Sequence, residues 1–148
     1  MKKLLLPAVA VLALSLSGSV LAADAAGTAN VTILAAVSVS ETTAVNFGSL
    51  DIADGTCQMA SNGTFSGSCS GTGTPGVMTI SGTGSAAVNI SVTAGAAVDG
   101  VSFAPTVASA TGNLSSGSLA VTVYGDMTKA SATAGSKALS YTFTTSYQ

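Results

Sequence analysis

Cys57 and Cys69 are the most reactive side chains in the sequence, with eleven residues, 58–68, between them. In an oxidising compartment two such thiols pair by default. A structural metal would need about four ligands, and the chain has no histidine to join the cysteines. Nucleophilic catalysis needs a serine or cysteine beside a positioned base. Serines are plentiful, but the candidate bases are a few carboxylates and two lysines, Lys129 and Lys137. Both lysines sit in or beside Gly/Ser/Thr-rich stretches, where a solvated ammonium is expected. Asp51 and Asp54 lack the further oxygen ligands of a calcium loop, and Asp54-Gly55 reads as a turn. Gly71-Thr72-Gly73-Thr74-Pro75-Gly76 has the glycine spacing of a dinucleotide loop. That loop works through the helix N-terminus that follows it, whereas here Pro75 intervenes and a β-like segment comes next. No catalytic, cofactor-binding or metal site is expected, and the chain does not read as an enzyme.

Charge narrows the partners. Beyond residue 22, six acidic residues (Asp24, Glu41, Asp51, Asp54, Asp99, Asp126) face two lysines, for a net charge of −4. Two cations cannot neutralise a run of phosphates, so nucleic acid is excluded, and an anionic membrane surface with it. Charged residues make up 7 % of the chain, against roughly a quarter in ordinary soluble domains. Gly, Ser, Thr, Ala and Val take their place, which suits a protein packed into an assembly. Four Asn-x-Ser/Thr triplets, beginning at Asn30, Asn62, Asn89 and Asn113, arise from this composition and are assigned no function.

The elements that must carry these residues are strands. Lys2 and Lys3, the apolar run Leu4 to Leu16, and Val20-Leu21-Ala22 before Ala23 read as a cleaved secretory leader over residues 1–22. The run is too short for a comfortable membrane span, and no membrane insertion is expected after cleavage. Period-two patterning dominates the chain beyond the leader. From Gly27 to Val39, residues Gly27, Ala29, Val31, Ile33, Ala35, Val37 and Val39 share one face. Further strands are expected at Val45–Ile52, Gly76–Ser81, Ala86–Thr93, Val98–Ala104 (closed by Pro105), Leu119–Tyr124 (ended by Gly125) and Lys137–Gln148. Residues 56–76, 106–118 and 126–136 read as loops or irregular excursions. Seven or so short strands with turns between them indicate an all-β sandwich. All seven aromatics lie on or beside strands, as core residues would.

The two ends carry a more specific pattern. Tyr147 is penultimate, Phe143, Tyr141 and Leu139 alternate before it, and Gly135 is fourteenth from the end. In these features the chain resembles the subunits of chaperone–usher pili, and residues 27–35 resemble their N-terminal donor strand. Thr145 departs mildly from the alternation. The cysteines depart further, since many such pilins tie their first strand to a distant second one. The segment Val45-Asn46-Phe47-Gly48-Ser49-Leu50 is also similar to an uncharacterised family of small secreted β proteins.

The pilin resemblance implies an immunoglobulin-like sandwich that lacks its last strand, occupying 37–148, with an arm at 23–36. Gly27, Ala29, Val31, Ile33 and Ala35 would enter a neighbour's groove, and Gly135, Leu139, Tyr141, Phe143 and Tyr147 would form the assembly motif. The partners implied are identical subunits in a homopolymer, with a periplasmic chaperone and an outer-membrane usher. The chain would pass through the periplasm to an extracellular filament supporting adhesion or biofilm formation. A self-contained secreted β-sandwich binding a surface glycan or protein is the alternative; it differs in where the arm goes. Mass spectrometry of the exported protein is expected to find its N-terminus at Ala23 or Asp24. A mature chain that keeps residues 1–22 would refute the leader.

Overall fold

A computed structural model describes residues 28–69 and 71–148. The leader at 1–22 and the start of the arm, Gly27 included, lie outside the described residues. Residues 33–148 form one compact unit; the described residues 28–32 fall to another and hold no regular secondary structure.

The larger unit contains β1 (Ser38–Thr43), β2 (Gly55–Met59), β3 (Phe65–Gly67), β4 (Gly76–Ser81), β5 (Ala87–Ala94), β6 (Val101–Val107), β7 (Thr111–Asn113), β8 (Ser118–Lys129) and β9 (Tyr141–Tyr147). All pairings between them are antiparallel, and no helix occurs among the described residues. The longest strand, β8, organises the first sheet. One of its edges takes β4 from Ser118 to Val123 and then β2 from Gly125 to Lys129, while the other takes β6 from Val123 to Lys129. β1 extends the sheet beyond β4, and β3 extends it beyond β2. The second sheet has the order β7-β5-β9.

The two sheets pack in a sandwich-like arrangement because each carries an apolar face of period two. Ile80 and Val121 of the first sheet meet Val88 and Ile90 of the second, with Leu114 beside them. A second cluster gathers Phe47, Cys57, Met59 and Phe103. Ile80, Leu114, Val88 and Val123 are fully buried, each contributing about 1.5–3 kcal/mol relative to exposure. The disulfide joins Cys57 of β2 to Cys69, with Cα atoms 5.2 Å apart, and closes the β2–β3 hairpin.

Several sequence expectations are corrected. Residues 45–52 alternate like a strand, yet the main chain pairs there only through an Asn46–Thr74 bridge. Side-chain carbonyls turn it instead: Asn46 Oδ1 accepts from Gly48 N–H at 2.7 Å, and Asp51 Oδ1 from Ala53 N–H at 3.1 Å. Residues 28–37, expected to be strand, belong to none, and β1 starts at Ser38. Pro105 does not close its strand; β6 runs on to Val107 because it pairs with β8 alone, and an edge strand tolerates a missing N–H. All three expected loops hold strand: 56–76 contains most of β2 and all of β3, 106–118 contains β7, and 126–136 contains the last four residues of β8. Nor does Gly125 end β8. It faces Pro105 at φ 142°, where an added Cβ would collide with the Ala104 carbonyl. Here glycine lets two backbones approach, and the strand continues through it to Lys129.

Gly125→Ala is therefore expected to lower stability by roughly 1–3 kcal/mol, through strain and a forced separation of β6 from β8. An unchanged urea midpoint would show that the contact is dispensable.

Candidate functional site

Each sheet ends in an edge strand. β1 ends the first sheet and β9 ends the second, and among the described residues each pairs along one edge only, β1 with β4 and β9 with β5. These two edges approach each other. At one end the Glu41 carboxylate of β1 lies by the Tyr141 phenol of β9. At the other, Tyr147 Oη donates to the carbonyl of Ala35, three residues before β1, at 2.8 Å. Two unpaired main-chain edges along one side form a ready template for another strand.

The alternation of β9 sets what this side presents. Tyr141, Phe143, Thr145 and Tyr147 point inward and are half-buried, while Thr142, Thr144 and Ser146 are exposed. Phe143 and Tyr147 pack on the Ile80–Val88 cluster, and Leu139 and Tyr141 pack on the Phe47–Phe103 cluster. Tyr141 meets Phe103 edge-on at 5.8 Å, Phe103 meets Phe47 edge-on at 5.7 Å, and Phe47 stacks on Phe65 at 5.7 Å. Partial burial raises the Tyr141 phenol above the ordinary tyrosine range, and Glu41 raises it further. An open groove of about 700 Å³ runs past these rings, lined by Phe47, Leu50, Val101, Phe103, Leu139 and Tyr141, with Gly135 along it.

Lys129 differs from expectation. Instead of a solvated loop lysine it is a buried residue of β8, 4 % exposed. Its ammonium finds Asp51 Oδ1 at 2.7 Å, the Asp51 carbonyl at 3.0 Å and the Ser68 carbonyl at 3.4 Å. Three donors meet three acceptors, and the 45–52 segment is tied to the disulfide hairpin through one side chain. The signal was present in the sequence, since Leu119, Val121, Val123, Met127 and Lys129 keep one parity. Lys137, which lines the groove, pairs with Asp99 at 2.8 Å.

The described arm residues, 28–36, are open to solvent. Ala29 is exposed, Val31 is 84 % exposed, Ile33 87 % and Leu34 40 %. The chain is anchored at Ala35, whose N–H donates to Thr83 Oγ1 at 2.7 Å, and at Val37, which packs on the Ile80 cluster. Thr83 carries no signal in the sequence, as nothing in its local pattern marks it.

Comparison with known protein families, with characterised proteins and with solved structures finds no match for this chain.

The hydrogen bond from Lys129, and secondarily its charge, hold the Asp51 carboxyl below the ordinary aspartate range. A lowered native pKa means that this pairing supports folding fully above the unfolded aspartate value, about 3.9, and is lost as pH falls through the native one. The stability difference between wild type and Asp51→Asn should therefore shrink on acidification below about pH 4. Urea midpoints that differ equally at every pH would refute this linkage.

Proposed function

We propose that this protein is the structural subunit of an extracellular pilus or fimbria. Each copy inserts its N-terminal arm into the open side of the next. On this reading the sandwich is immunoglobulin-like and incomplete, and the missing strand comes from a neighbour. The observation that carries the proposal is the coexistence, in one chain, of two facing unpaired edges and an exposed alternating arm. β-Strand addition joins such parts through main-chain hydrogen bonds, with side-chain pockets setting the fit. Burying Val31 and Ile33 would contribute about 1.5–3 kcal/mol each. The contact is head-to-tail and does not close on itself, so it propagates as a fibre. Pairing both lysines with carboxylates suits a structural role better than a catalytic one. Adhesion or biofilm formation would be the use of such a fibre, and export through the periplasm its route.

The test is a pair of charge substitutions. Ile33→Asp places a carboxylate where the proposal requires a buried apolar side chain, at a cost of several kcal/mol. Thr32→Asp points to the opposite face and should be tolerated. Formation of an SDS-resistant ladder is expected for Thr32→Asp and not for Ile33→Asp. Equal ladders from both would refute the assigned face. Loss of folding in an Ile33→Asp monomer completed by a fused wild-type arm would favour the self-contained sandwich.

A further inference from the structure

The root of the arm is held in a closed cycle of hydrogen bonds. Ala35 N–H donates to Thr83 Oγ1 at 2.7 Å, Thr83 N–H donates to Tyr147 Oη at 2.7 Å, and Tyr147 O–H donates to the Ala35 carbonyl at 2.8 Å. Each member satisfies the next, so the cycle fixes both backbone groups of Ala35 at once. Gly82 makes room for it. A Cβ there would run into Tyr147 Oη and would stand 3.0 Å from Leu114 Cδ1. The Tyr147 ring is itself set by packing on the Ile80–Leu114 cluster, so the hydroxyl is presented from a rigid support. On the other side of the cycle, Val37 is seated on the same cluster, whereas Leu34 and Ile33 extend into solvent.

We infer that Tyr147 and Thr83 are positioning residues for assembly: they clamp Ala35 to its own subunit, so that the strand offered to a second copy of this chain ends at Leu34. This rests on the filament reading above and narrows it. With its N–H occupied and one lone pair of its C=O taken, Ala35 has no main-chain donor left to offer a neighbour, so it cannot complete a strand ladder there. The donor face is then Ala29, Val31 and Ile33, and Ala35 is its fixed root. Residues 28–34, when extended, reach about 23 Å, the length of the seven-residue β9 edge that they would follow. The clamp also places the donor root against the last residue of β9, so one side chain serves both the edge that receives an arm and the arm that is given.

Tyr147→Phe removes one hydroxyl and keeps the ring, and in the full-length chain it tests the inference in two ways. In the monomer, amide exchange at Thr83, whose N–H loses its acceptor, should accelerate about twofold to tenfold, the factor of one net hydrogen bond, and exchange at Ala35 should rise with it as the Ala35 carbonyl is released, with exchange in β5 and β8 unchanged. Unchanged exchange at Ala35 would overturn the clamp. In assembly, the variant should form SDS-resistant ladders more slowly than wild type; an equal rate with the clamp demonstrably open would overturn the positioning role. Thr83→Val, which removes Oγ1 outside the buried cluster, repeats both measurements should Tyr147→Phe not fold. If wild type itself never forms ladders, the filament reading fails, while the Ala35 exchange ratio still decides whether the clamp exists.

Discussion

The main-chain ladder along β8 is the constraint on which the other elements depend. A twelve-residue strand with partners on both edges has to place β4, β2 and β6 in one plane, and their apolar faces then fall on one side together. Ile80, Phe103 and Met59 reach the interior because the strands that carry them are registered against β8. The register is specified by burial as well as by hydrogen bonding, since a one-residue slip would turn every inward side chain outward. Gly125 lets β6 cross close at the middle of the ladder, and Lys129 closes its far end against two neighbouring segments.

The all-β class and the inward face of β9 were legible in the sequence because period two is a local property. Leu139, Tyr141, Phe143 and Tyr147 announce their shared side without reference to anything distant. The bounds of β8 were not legible. Gly125 is a turn residue in most contexts, and only the approach of β2 and β6, both from upstream in the chain, makes it part of a strand. Residues 45–52 misled in the opposite direction. Their side chains alternate and Phe47 is buried, but Asn46 and Asp51 capture backbone N–H groups that a strand would offer to a neighbour. The Ala35–Thr83–Tyr147 cycle joins residues 112 positions apart at its widest span, and no local pattern encodes such a meeting.

Edge strands and tight restraints meet around one groove. The β9 edge carries half-buried aromatics, and the groove that passes Tyr141 also reaches Asp51 and Lys129, whose contacts join the disulfide hairpin. Covalent and ionic restraints hold the part of the sandwich where β2 and β3 form a short hairpin. The stacked and edge-on rings from Phe65 to Tyr141 connect β3 to β9 through continuous contact, so the groove has a firm floor.

The acceptors around the Lys129 ammonium bear on the medium in which the protein can work. Two of the three are backbone carbonyls, and these dipoles are not exchanged for counterions when salt is added. The other ion pair, Lys137 with Asp99, has an exposed carboxylate and contributes little at any ionic strength. Nearly all remaining cohesion is the disulfide, apolar contact and main-chain pairing. A fold assembled this way is largely indifferent to the passage from dilute fresh water to brine, where the Debye length contracts from tens of ångströms to a few.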